Sequence, residues 1–258
     1  MLRALRTAAL GMSAQQTSVD NTANNLANAN TTGFKRANVV FQDLLYQSVQ
    51  RGGEGDQRPA AMQLGTGAAV VATQRTFLQG GLDQTGNPLD LAVNGEGFLQ
   101  ARRADGTVVY TRDGALTIDA DGRVVTQSGL PLEPDLEVPT DTQEIQVSAD
   151  GVVRVRLQNE PDPMEIGRIE LAQFSNPAGL RSLGGNFYEQ TEASGEPQIG
   201  PPSEDGAGMI QQGFLETSNV DVVQEMVDLI TAQRAYEMNS KMVTTSEEML
   251  QIANSMKR

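Results

Sequence analysis

All eleven prolines fall between Pro59 and Pro202, and none occurs before or after. Proline removes a backbone donor and clashes with the preceding helical turn, so long helices can form only at the two ends of this chain. Glycine repeats the division: Gly11 and Gly33 are the only glycines before residue 50, and none follows Gly213. The constraint predicts an α+β chain in which N- and C-terminal helices enclose a β-rich middle.

Each end carries a small-or-apolar row alternating in steps of three and four. The first is Leu2, Leu5, Ala9, Met12, Val19, Ala23 and Leu26, interrupted only by Gln16. The second is Ala235, Met238, Met242, Thr245, Met249, Ile252 and Met256. Such seams need a partner, and the two ends are predicted to pair in a coiled-coil-like domain. Charge agrees: residues 1–40 hold four bases against one acid, and residues 216–258 hold seven acids against four bases. An ordinary amphipathic pair in a monomeric bundle is the alternative. Gly11 costs about 1 kcal/mol relative to alanine in a helix, marking a weak point or the close approach of another backbone. The first helix is predicted to end near Asn30-Thr-Thr-Gly33, with Gly33 left-handed. Asn21, Asn24, Asn25 and Asn28 lie off the seam, on a polar face that is either solvated or bonded to neighbouring helices.

The middle opens with a polar, glycine-rich excursion over 47–63, followed by strands within 64–78 and at 89–93 and 97–101, around Asn94-Gly95. Asp-Gly recurs at Asp105, Asp113 and Asp121, spaced by eight, which predicts a meander of short hairpins. Residues 144–157 form another hairpin about Asp150-Gly151, residues 166–174 a strand, and 195–208 a loop.

Chemistry is sparse. With no cysteine and no histidine, thiolate metal sites, the usual triads and the commonest general base are absent. The net charge of −14 resides on the middle of the chain and would repel nucleic acid. No run approaches the roughly 20 apolar residues of a membrane span, and the apolar run 8–12 is too short for a cleaved signal. Asp119-Ala-Asp121-Gly122 is not a calcium loop, since Arg123 and Leu130 would occupy ligand positions. Gly95-Glu-Gly97 lacks the third glycine of a nucleotide loop, and the adjacent Ser240 and Lys241 point apart on a helix. No catalytic, cofactor-binding or metal-binding residue is nominated.

Two end motifs carry a family resemblance. Ala23-Asn-Asn-Leu-Ala-Asn28 with Thr32-Gly-Phe-Lys35 resembles the N-terminal signature of the flagellar rod and hook proteins. Leu229-Ile-x-x-Gln233-Arg-Ala-Tyr-Glu237 with Asn239-Ser-Lys241 resembles their C-terminal signature. Phe41-Gln-Asp-Leu-Leu-Tyr46, Thr111-Arg-Asp-Gly114 and Glu216-Thr-Ser-Asn-Val220 are similar, within that family, to the distal rod subunit. The resemblance implies an inner helical domain of residues 1–33 and 221–258 that forms the core of a tube. It further implies an intermediate domain of 34–94 and 199–220, with the 47–63 excursion filling gaps between subunits, and an outer β-rich domain of 95–198. Assembly contacts would come from Leu2, Leu5, Ala9, Met12, Val19, Ala23, Asn24, Asn25, Leu26, Asn28, Gly33 and Phe34 at one end. At the other they would come from Leu229, Ile230, Gln233, Arg234, Ala235, Tyr236, Met238, Asn239, Met242, Met249 and Ile252.

The implied role is structural and not enzymatic: a drive shaft that transmits torque and forms the export channel, with no cofactor. The implied partners are further copies in a helical homo-oligomer, neighbouring rod and hook proteins, the flagellar export apparatus and the surrounding ring bushing, with no nucleic acid and no membrane insertion. The implied location is the periplasm-spanning rod, reached without a cleaved signal peptide. Alternatives are a hook or proximal-rod subunit, a non-flagellar coiled-coil-anchored binding module, and a glycan-cleaving enzyme with a carboxylate pair in a cleft.

Overall fold

The computed structural model describes residues 2–48, 63–158, 162–204 and 206–256. Most of the predicted 47–63 excursion therefore lies outside the described residues. The chain divides into two compact units: residues 1–27, 37–75 and 221–258 form one, and residues 28–36 and 76–220 the other.

The first unit contains both helices, α1 (Leu2–Ala27) and α2 (Val222–Ser255). They occupy the proline-free ends. Asp221 caps α2 by accepting hydrogen bonds from the backbone N–H groups of Val223 and Gln224. An antiparallel ribbon of Ala37–Asp43 and Ala68–Arg75, with an irregularity between Val40 and Phe41, completes the unit together with the short pair Gln47–Ser48 and Gln63–Leu64. α1 packs against both α2 and the ribbon. It ends at Ala27, well before Gly33, because the following Asn28 and Asn30 form helices poorly. Gly33 does adopt a left-handed conformation, with φ of +65°, but inside the second unit.

The most deeply buried positions on the two helices lie off the predicted rows. On α1 the buried positions are Ala8, Ala14, Thr22 and Asn25; on α2 they are Glu225, Ala232 and Ser246. Small side chains allow the two axes to approach closely, and this rewards alanine, glycine and serine over leucine and methionine at the contact. A Cβ added at Gly11 would lie 3.0 Å from Asn239 Nδ2, so the close neighbour there is a side chain and not a backbone. The predicted α1 seam is displaced toward solvent: Leu5, Met12, Val19 and Leu26 are half-buried, and Ala9 and Ala23 are exposed. On α2, Ala235 is half-buried, whereas Met238, Met242, Met249, Ile252 and Met256 are 46–82% exposed. By helical period Met242 and Met249 flank Ser246, four residues before it and three after, and the row as a whole lies about a quarter turn around α2 from the buried positions.

The second unit is built from short antiparallel strands. A five-stranded sheet runs in the order Leu132–Glu133, Leu99–Arg102, Val108–Thr111, Phe187–Glu189 and Arg181–Gly184. A three-stranded sheet is formed by Thr142–Val147, Val152–Leu157 and Met164–Arg168. Leu99, Leu132, Val155, Ile169 and Leu171 centre one core. Phe98, Tyr110, Phe174 and Tyr188 form a second, held by edge-to-face contacts such as Tyr110 to Phe174 at 4.8 Å between ring centroids.

Hairpins turn at Asp105-Gly106, Asp121-Gly122 and Asp150-Gly151, as the spacing predicts. Asp113-Gly114 turns none. Val108–Thr111 pairs with Leu99–Arg102 and Phe187–Glu189, and the next strand, Leu116–Ile118, pairs forward with Val124–Thr126. The strands on either side of Asn94-Gly95 also find separate partners, Leu91–Asn94 pairing with Met209–Gln212. The predicted 166–174 strand is two strands in different sheets, Met164–Arg168 and Leu171–Gln173. The second pairs with Gln198–Gly200, inside the predicted 195–208 loop. Short-range turn chemistry identifies hairpins, but long-range pairing is set by which apolar faces fill the core.

Candidate assembly site

Three of the quoted motifs converge inside the second unit. Lys35 Nζ lies 2.6 Å from Glu216 Oε1, and both side chains are 0% exposed. Arg112 Nη1 approaches Glu216 Oε2 at 3.5 Å and donates to the carbonyl of Val93 at 3.3 Å, while Nη2 donates to the carbonyl of Gly95 at 2.9 Å. Its guanidinium stands 5.1 Å from the centre of the Phe98 ring. Lys35 Nζ also donates to the carbonyl of Leu78 at 2.8 Å, and Glu216 Oε1 accepts from the N–H of Gly80 at 2.9 Å. Two cations thus share one carboxylate within a shell of backbone dipoles. Burial pushes the Lys35 ammonium below its ordinary range, with Glu216 opposing the shift. Burial likewise lowers Arg112, again against Glu216.

The neighbouring residues tie the same segment down. Gly33 N–H donates to the carbonyl of Glu216 at 2.8 Å. Thr32 Oγ1 donates to Asp113 Oδ1 at 3.0 Å, and Asn219 Oδ1 accepts from the N–H of Arg36 at 2.7 Å. Gly114 fits against Leu91 with no room for a side chain, since a Cβ there would lie 1.6 Å from the Leu91 carbonyl oxygen. Gly114→Ala is expected to destabilise the second unit by about 3 kcal/mol in urea unfolding.

Burial raises the Asp113 carboxyl above its ordinary 3.8, with Asp90 adding to the shift and hydrogen bonds from Ala115 and Thr32 opposing it. The folded chain therefore binds this proton more tightly than the unfolded chain. Asp113 contributes its full stability below 3.8 and loses it as pH rises through the folded-state value. Asp113→Asn, which keeps an acceptor oxygen, is expected to gain stability relative to the parent at pH 7. That gain should shrink on acidification; a difference independent of pH would contradict it.

In the helical unit, Asn25 links three elements. Its Nδ2 donates to Glu225 Oε2 at 3.3 Å and to the carbonyl of Ala37 at 2.9 Å, and its Oδ1 accepts from the N–H of Ala37 at 3.0 Å. Asn21 Nδ2 reaches the same carbonyl at 2.7 Å. The asparagine face is therefore partly structural, although Asn24 is exposed.

Flagellar proteins match along the chain. The family profile described as flagella basal body rod protein matches residues 5–35, the flagellar hook protein FlgE/F/G D1 domain matches 92–155, and the flagellar basal body rod FlgEFG protein C-terminal matches 211–256. A flagellar basal-body rod protein FlgG from Borreliella burgdorferi is 46% identical over 264 residues, covering all of both chains. That of Agrobacterium fabrum is 45% identical over 258 residues, covering 98% of each. That of Caulobacter vibrioides is 42% identical over 261 residues, covering 99% of this chain and all of the other. The chain belongs to the FlgG family of flagellar basal-body rod proteins.

Of the residues that the resemblance nominates for assembly in this FlgG-family chain, Gly33 and Phe34 are buried within the β-rich unit. Asn28 is half-buried there too. Asn25 is buried between helices, and Leu229, Ala235 and Asn239 are half-buried. Ile230, Gln233, Arg234, Tyr236, Met238, Met242, Met249 and Ile252 are exposed on α2. The side chain of Leu2 lies outside the described residues. Lys35, Arg112, Glu216 and Glu225 were missed as site residues; the first three stand in quoted motifs as their charged members, whereas Glu225 lies outside every motif and carried no such signal. Among the described residues no group of three His, Cys, Asp or Glu side chains could hold a metal ion, and no helix is long and apolar enough to cross a membrane.

Proposed function

We propose that the chain is a structural subunit of the distal rod of the bacterial flagellar basal body. Copies assemble helically into a tube that transmits torque and encloses the export channel. Full-length similarity to FlgG proteins supports the rod assignment. The mechanical reading rests on a single observation: α2 buries the small residues Ala232 and Ser246, and beside them it leaves a methionine and isoleucine row open to solvent. A helix that has already satisfied one face and still exposes an apolar row is suited to a neighbour. Burying each large residue of that row gains roughly 1.5–3 kcal/mol in every subunit. Head-to-tail contacts of this kind propagate and do not close.

In this reading residues 1–33 and 221–258 belong to the tube core, 34–94 and 199–220 to an intermediate layer, and 95–198 to the outer surface. The paired helical ends act as a coiled-coil-like core, the neighbouring rod and hook proteins continue the shaft, and the surrounding rings act as its bushing. The role is mechanical and non-enzymatic. Electron microscopy of basal bodies from a strain deleted for this gene tests it. Rods that stop short, without a hook, are expected. Complete rods lacking only the hook would move the subunit to the hook, and intact motile flagella would overturn the reading.

A further inference from the structure

The chain has no cysteine, histidine or tryptophan, so methionine sulfur is its most readily oxidised group. Four of its ten methionines, Met238, Met242, Met249 and Met256, fall on one stripe of α2, at 46–82% exposure, alongside the buried Ser246. Ile252 completes the row. Among the described residues three further methionines are comparably exposed but stand apart from the stripe: Met164 and Met209 in the β-rich unit, at 48% and 49%, and Met226 in the second turn of α2, at 51%.

We propose that this methionine stripe is an oxidation-sensitive modification site. A hydroperoxide acting on the unassembled subunit converts it to sulfoxides and blocks its incorporation. The inference rests on the assembly reading above, with a second copy as the occupant of the stripe. That occupant is favoured by the opposite charge of the two chain ends and by the length of the row, which runs over five turns from Met238 to Met256.

In the reaction the sulfur lone pair attacks one peroxide oxygen. The O–O bond breaks as the S–O bond forms, and the proton on the transferred oxygen passes to the departing hydroxide to give water. Sulfur loses two electrons and the peroxide gains them. The product replaces a flexible apolar thioether by a polar, chiral group, and a packed interface offers that oxygen no donor in return for lost water. The free subunit is the vulnerable form, because the same sulfurs are covered once a neighbour is seated.

The test treats the purified full chain with hydrogen peroxide, maps sulfoxides by peptide mass spectrometry and follows polymerisation by light scattering. Oxidation at the four positions is expected to raise the critical concentration by about tenfold or more. Methionine sulfoxide reductases of both epimer specificities should reverse it. The variant Met238→Leu/Met242→Leu/Met249→Leu/Met256→Leu should polymerise like the parent and keep doing so after the same dose. Met164→Leu/Met209→Leu/Met226→Leu should remain sensitive. If the fourfold variant polymerises poorly by itself, the variant lacking the three other exposed methionines decides: loss of its polymerisation on oxidation, reversed by the reductases, supports the assignment, and insensitivity overturns it.

Complete sulfoxidation of the stripe with unchanged polymerisation would overturn this inference and leave the assembly reading standing. A fourfold variant as sensitive as the parent would overturn the assignment to this stripe. An untreated chain that forms no polymer under any condition would overturn the assembly reading, and this inference with it.

Discussion

Glu216→Ala is expected to destabilise the β-rich unit by about 3–5 kcal/mol, because it leaves two buried cations without their shared carboxylate. Lys35 and Glu216 are both fully excluded from solvent at 2.6 Å, and Arg112 stands 3.5 Å from the second carboxylate oxygen. No rearrangement short of opening the unit returns either cation to water. The same substitution frees the N–H of Gly80, which donates to Glu216 Oε1. Lys35→Met should cost less, since Glu216 would keep Arg112 and that backbone donor. Urea unfolding followed through the near-ultraviolet signal of Tyr110 and Tyr188, both buried in this unit, measures the two losses. A cost below about 1 kcal/mol for Glu216→Ala would mean that the cluster behaves like a surface ion pair.

The second large effect concerns assembly and not folding. Met238→Asp combined with Ile252→Asp is expected to abolish rod formation and motility while changing the stability of the isolated subunit by no more than about 0.5 kcal/mol. Both side chains are more than half exposed in the subunit, at 63% and 59%, so a carboxylate there is solvated at little cost. Seated against a neighbour, each carboxylate would lose its water without gaining a cation, a penalty of several kcal/mol. Ala232→Asp supplies the contrast: it is buried, and its replacement should disrupt the helix pair itself. Full-length rods built from the double variant would remove the exposed stripe from the assembly surface.

Several features could be read from the sequence for local reasons. Both long helices lie in the proline-free ends, because a proline inside either would break it. Asp121-Gly122 and Asp150-Gly151 turn hairpins because glycine supplies the positive φ, +82° at both positions, that a tight turn needs. The family motifs point to the flagellar rod through residue order alone.

Other features depended on distance in space. Periodicity finds the apolar rows on α2, but it does not say which neighbour each face meets. The intramolecular partner takes the small-residue face, because close axial approach favours Ala232 and Ser246 over methionine. Asp113-Gly114 looks like its neighbours eight residues on either side, yet Gly114 is needed for the close approach of Leu91 and not for a hairpin. Lys35 follows α1 by only eight residues, yet it is buried beside a carboxylate 181 residues away. Sequence by itself determined that each end carries a long helix, that hairpins turn at Asp105-Gly106, Asp121-Gly122 and Asp150-Gly151, and where the family motifs lie, because each is encoded by adjacent residues. Tertiary structure alone decided which helix face stays free and which charges are buried together, because desolvation is a property of the packed chain and not of any segment.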